Sequence, residues 1–74
     1  MEVTMWIYCE SDIEIECESL GKWDVDPYFL VLKKCNIYKK ITTKKGIPEI
    51  ILNPAQVIAI GRERLEWHEL QRVR

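Results

Sequence analysis

Asp12-Ile13-Glu14-Ile15-Glu16-Cys17-Glu18 is the stretch whose reading decides the fold. Apolar and acidic residues alternate along it without interruption, the period of a β-strand with one face buried and one in water. Ile13, Ile15 and Cys17 point one way, and Glu14, Glu16 and Glu18 point the other. The expectation is a half-buried strand with a solvated acidic face.

Toward the N-terminus, Val3 to Cys9 is apolar at both parities apart from Thr4. That pattern suits a strand covered on both sides, or one whose second face meets a partner. Glu10-Ser11 turns the chain between the two runs. The resulting hairpin is expected to place Cys9 opposite Asp12 and Cys17 opposite Thr4.

Toward the C-terminus, Leu20-Gly21-Lys22 and Asp24-Val25-Asp26-Pro27 read as turns around Trp23. Tyr28 to Leu32 is a short apolar run, expected to be a buried strand. Cys35 to Thr43 is rich in β-branched and aromatic residues and reads as another strand. Lys44-Lys45-Gly46 is expected to be a hairpin turn, with Gly46 supplying a positive φ. Pro48 would then open the strand Glu49 to Leu52. Asn53-Pro54 breaks that strand and Val57 to Ile60 resumes it. Residues 62–74 have no Gly or Pro and are rich in helix formers, which predicts a short helical tail. A final strand through Leu65 and Trp67 is the alternative.

Five or six short strands, tight turns and no βαβ spacing define a mostly β fold. A small antiparallel barrel of SH3-like or Sm-like type is expected, a single domain over 1–74 whose curl removes exposed edges. Its core should draw on Val3, Met5, Ile7, Ile13, Ile15, Leu30, Leu32, Ile37, Ile51, Val57 and Ile60. With 74 residues, the chain has little room for a deep catalytic cleft.

The segment Ile51-Leu52-Asn53-Pro54-Ala55-Gln56-Val57-Ile58-Ala59-Ile60 resembles a pattern in small bacterial and phage-encoded β proteins, among them the flagellar FlbD-like family. A strand ends in Leu-Asn-Pro, makes one turn and resumes as a β-branched run. The likeness spans about a seventh of the chain and consists mainly of turn geometry. Ala55 stands where the family usually has an acid, and the strands ahead of the motif have no counterpart in it. The resemblance implies a small accessory protein and transfers no catalytic residue.

A net charge of −1 conceals a division along the chain. Residues 1–26 carry eight acids and one base, and residues 27–74 carry ten bases and four acids. Two faces of opposite sign, or ion pairs across strands, would follow from that split. No apolar run approaches the ~18 residues of a membrane span, and no basic segment precedes an apolar one at the N-terminus. A cytoplasmic protein is expected, with Cys9, Cys17 and Cys35 as free thiols.

Each residue set that suggests a site also has a plainer role. Cys9, Cys17, Cys35 and His68 equal the four ligands of a structural zinc site but include no Cys-x-x-Cys knuckle, so core thiols are expected and no metal. Asp24 and Asp26 could hold a divalent cation, though closing the turn before Pro27 suits them better. His68 lies between Trp67 and Glu69 with no nucleophile motif nearby, so no enzyme and no cofactor are expected. Lys39, Lys40, Lys44 and Lys45, interleaved with Tyr38, resemble phosphate-tracking surfaces of small barrels. The carboxylates of Glu14, Glu16 and Glu18, at alternate positions, could imitate a phosphate backbone. Trp6, Trp23 and Trp67 cannot all bury in so small a core, so at least one should anchor a partner.

These features point first to a non-catalytic interaction module, a homo-oligomeric accessory protein that binds another protein. A nucleic-acid-binding barrel using the lysine hairpins, or an acidic nucleic-acid mimic, is the alternative. The binding residues expected are Trp6, Trp23, Tyr38, Lys39, Lys40, Lys44, Lys45 and Trp67.

Overall fold

In the computed structural model, which describes residues 4–64, the alternating stretch forms β2 (Ile13–Cys17). It pairs antiparallel with β1 (Met5–Cys9). Met5 lies opposite Cys17, Ile7 opposite Ile15 and Cys9 opposite Ile13, while Trp6 faces Glu16 and Tyr8 faces Glu14. The expected pairing of Cys9 with Asp12 is therefore one residue out. Opposed residues share a face, so that slip would have set Ile7 beside Glu14 and mixed apolar with acidic side chains on both faces. Glu10, Ser11 and Asp12 form the loop, with Ser11 at φ 66 and Asp12 at φ 58.

The remaining elements are β3 (Ser19–Lys22), β4 (Leu30–Tyr38), β5 (Thr43–Leu52), a 3-10 turn over Pro54–Gln56, and β6 (Val57–Gly61). The order β3-β4-β2-β1-β6, with β5 also on β4, makes one antiparallel sheet. β2 and β3 share one edge of β4. Glu16 pairs with Asn36 and Ser19 with Lys33, the same register on either side of a break at Glu18 and Lys34. Lys34 adopts φ 55 at that break, and its Nζ lies 3.3 Å from Glu18 Oε2. The Glu18 N–H still donates to the Lys33 carbonyl at 3.1 Å, so the strand bends without parting.

Several expected boundaries are corrected. Leu20-Gly21-Lys22 belongs to β3 rather than to a turn, because backbone pairing with β4 outweighs the poor strand propensity of glycine. The two strands expected over Tyr28–Leu32 and Cys35–Thr43 are one strand, β4. Its hairpin turns at Lys39–Thr42, where the Lys39 N–H donates to the Thr42 carbonyl at 2.8 Å. Lys44, Lys45 and Gly46 are not that turn but part of β5. Gly46 does take a positive φ, 72, and uses it in a bulge. Lys45 and Gly46 together oppose Asn36, since Ile37 pairs with Lys44 and Cys35 with Ile47. Pro48 lies inside β5, an edge strand, where a missing N–H is tolerated. The break at Asn53-Pro54 is as expected: Asn53 Oδ1 accepts from the Ala55 N–H at 2.9 Å and the chain turns once before β6.

Ile7, Cys9, Ile15, Cys17, Leu32, Cys35 and Leu52 are the buried core, with Met5, Ile13, Leu30, Ile37 and Val57 packed against it. Two expected core residues are exposed, Ile51 at 39% and Ile60 at 48%. Both lie on edge strands, and Ile51 has opposite parity to Leu52, which takes the core side. Val3 lies outside the described residues. The sheet curls into a half-barrel in which β3, β5 and β6 each pair on one side only among the described residues, so the curl does not remove the edges. Of the expected helical tail, Arg62–Arg64 is irregular and the rest lies outside the described residues. No described helix is long and apolar enough to cross a membrane.

All three thiols are free and buried. Burial, aided by Glu10 beside Cys9 and by Cys35 and Glu16 beside Cys17, pushes the Cys9 and Cys17 thiols up to about 11, and burial raises Cys35 too. A thiol harder to ionise when folded than when unfolded stabilises the fold fully below the unfolded value near 9. That contribution is lost as pH climbs toward 11. The urea midpoint should therefore fall between pH 8 and pH 10.5, and fall less in Cys17→Ala, as followed by tryptophan fluorescence. An equal fall in both would mean the thiols do not couple to folding.

Candidate functional site

Pairing the apolar odd-numbered residues of β1 and β2 leaves Trp6, Tyr8, Glu14 and Glu16 together on the other face of the sheet. β4 adds Asn36 opposite Glu16 and Tyr38 opposite Glu14. The expected solvated acidic face is corrected here: Glu14 is only 7% exposed. A carboxylate so placed costs about 1–3 kcal/mol if left without a partner.

Its partner is Arg64, three residues past the end of β6. Arg64 Nε donates to Glu14 Oε2 at 2.9 Å. The guanidinium carbon lies 5.1 Å from the centroid of the Trp6 ring and 5.1 Å from that of Tyr38. Those two rings stand 5.7 Å apart at 33°, an open corner capped by the cation. Each ring face attracts the charge by about 0.5–2 kcal/mol, more where water is displaced. The hydrogen bond to Glu14 raises the Arg64 guanidinium above its ordinary value.

Behind the corner, Glu16 Oε1 accepts from Asn36 Nδ2 at 2.8 Å and from the Tyr38 hydroxyl at 3.1 Å. Burial, then this bond, raises the Tyr38 hydroxyl. Asn36 Oδ1 accepts in turn from the Gly46 N–H at 3.1 Å, so the β5 bulge holds the amide that holds Glu16. The buried Tyr8 donates its hydroxyl to the Glu63 carbonyl at 3.4 Å, which helps bring the chain after β6 across the face. Two π faces and the Glu14 carboxylate converge on one position, with Glu16 holding the Tyr38 hydroxyl behind them, and all three favour a positive, planar group there.

Of the residues expected to bind, Trp6 and Tyr38 meet in this corner. Lys39, Lys40, Lys44 and Lys45 are exposed along the β4–β5 hairpin, while the Tyr38 hydroxyl turns to Glu16. Trp23 lies apart, in the loop before β4, edge-on to Phe29 at 6.2 Å. Asp26 closes that loop, its Oδ1 accepting from the Tyr28 N–H at 3.1 Å. Trp67 and His68 lie outside the described residues. The roles of Arg64, Glu14, Glu16 and Asn36 were missed. Parity was the available signal: with the apolar positions paired, the aromatic and acidic ones must coincide. No family model and no curated protein sequence matches the chain.

The corner predicts a non-additive mutant cycle. Arg64→Ala should cost about 1–3 kcal/mol, because it strands the Glu14 carboxylate. Adding Glu14→Gln should recover much of that loss, giving a coupling of about 1 kcal/mol or more by urea denaturation. Additive costs would show that the pair does not interact in solution.

Proposed function

We propose that this protein is a small, non-catalytic interaction module that binds another protein through the face carrying Trp6 and Tyr38. The observation that supports this most is the pairing of those side chains, partly exposed and anchored by the sheet, around an arginine. Trp, Tyr and Arg are the residues over-represented where binding energy concentrates, and pre-positioned rings lose little entropy on binding. Among the described residues the half-barrel also has edge strands, with Ile51 on β5 and Ile60 on β6 exposed. Unpaired edges with apolar side chains suit strand addition by a second copy, so a homo-oligomeric accessory role in the cytoplasm fits the same reading.

A second reading, nucleic-acid binding, draws support from the β4–β5 hairpin. There a groove of about 540 Å³ is lined by Ile37, Lys39, Thr42, Thr43 and Lys44, with Lys40 and Lys45 exposed nearby in sequence. Lysines so spread could track a phosphate backbone.

Panning a random peptide library against the immobilised protein separates the two. The first reading expects enriched peptides whose capture is lost in Trp6→Ala and kept in Lys39→Ala/Lys40→Ala. No enrichment would overturn it. Single-stranded DNA and RNA titrated over a salt series should bind with an affinity that falls steeply with salt under the second reading. No binding, or a flat response, would remove it.

A further inference from the structure

We infer that the corner of Trp6, Tyr38 and Glu14, with Glu16 behind it holding Tyr38, recognises an arginine side chain of a partner protein, and that Arg64 occupies the place in cis until that arginine displaces it. This rests on the protein-binding reading above and names the chemistry of the partner.

The walls of the site are carried by paired strands rather than by their occupant. Trp6, Glu14 and Glu16 are carried by paired strands, and Tyr38 and Asn36 by β4 between two neighbours. Glu16 is oriented by Asn36 and Tyr38, and Asn36 by the Gly46 amide, with no contribution from Arg64. The occupant is held more loosely. Arg64 follows an irregular stretch after β6, and its side chain is 55% exposed against 9% for Glu14. A buried carboxylate beneath a half-exposed cation is a preformed acceptor with an exchangeable partner.

Charge decides what can replace Arg64. If it leaves, Glu14 faces two aromatic rings with no counter-charge, so an apolar or acidic side chain cannot take the position without a large penalty. A guanidinium meets both demands of the corner: its delocalised charge sits over the rings while an N–H reaches the carboxylate. Lysine offers a point charge with no such plane. A tethered occupant competes at an effective concentration on the order of millimolar, so the intact chain should select partners that contribute contacts beyond a single arginine.

The test uses the acetylated, amidated tripeptide Gly-Arg-Gly, with citrulline and lysine versions, and Arg64→Ala. The readout is the indole N–H resonance of Trp6, identified by its loss in Trp6→Phe. The arginine peptide should shift this resonance in Arg64→Ala about tenfold more tightly than in the unsubstituted chain, the gain expected from removing a tethered competitor. The lysine peptide should bind more weakly, and the neutral citrulline peptide should leave the resonance in place. The double variant Glu14→Gln/Arg64→Ala should lose the response. If Arg64→Ala does not fold, the unsubstituted chain at peptide excess over the tether must show the same order of arginine, lysine and citrulline. No shift, an equal shift with citrulline, or an undiminished shift in the double variant would overturn the inference. Library peptides without arginine that still depend on Trp6 would also overturn it while leaving the protein-binding reading intact. Failure of the library to enrich any peptide would remove that reading itself.

Discussion

Pairing Ile7 with Ile15 and Cys9 with Ile13 sets both faces of the sheet at once. Side chains alternate along a strand, so whatever places the odd-numbered apolar residues together must place Trp6, Tyr8, Glu14 and Glu16 together as well. The core and the site are two consequences of one register. Burial of the first face supplies the driving force, at about 25 cal/mol per Å² of apolar surface removed from water. The second face gains its composition from that choice without having to drive it.

Two local departures from regular pairing then shape the sheet. At Glu18 and Lys34 the ladder opens while its register continues, so β2 and β3 together wrap β4. At Asn36 a bulge in β5 inserts Gly46, whose amide fixes the Asn36 side chain. Bulges commonly re-aim side chains near functional surfaces, and this one aims an amide at Glu16. A polar network thus runs from an edge strand to the middle of the face.

Arg64 is what makes that face tolerable. A nearly buried Glu14 left unpaired would cost the fold about 1–3 kcal/mol, and Arg64 offsets that cost. Here the pair also brings the segment after β6 over Trp6 and Tyr38, and the Tyr8 bond to the Glu63 carbonyl helps it there. The acidic excess of the first third of the chain and the basic excess of the rest meet across tertiary contacts, Glu14 with Arg64 and Glu18 with Lys34.

How much of this was legible follows from the range of each interaction. Strict alternation in Ile13–Cys17 and the turn residues Asn53 and Pro54 are local signals, and they identified the mostly β class, the strand β2 and the break before β6. Runs apolar at both parities, such as Ile50 to Leu52, carry no period, so Ile51 was assigned to the core that Leu52 occupies. Gly46 announced a positive φ but not whether a turn or a bulge would use it. Trp6 and Tyr38 could be nominated from residue type alone. Their meeting could not, because it depends on β4 lying beside β2. By itself the sequence determined that Ile13, Ile15 and Cys17 lie on one face of β2 and the glutamates on the other, because strict alternation is a local period. Only the tertiary structure decided that Arg64, fifty residues from Glu14, supplies the missing charge, because that choice is a long-range contact with no local period to announce it.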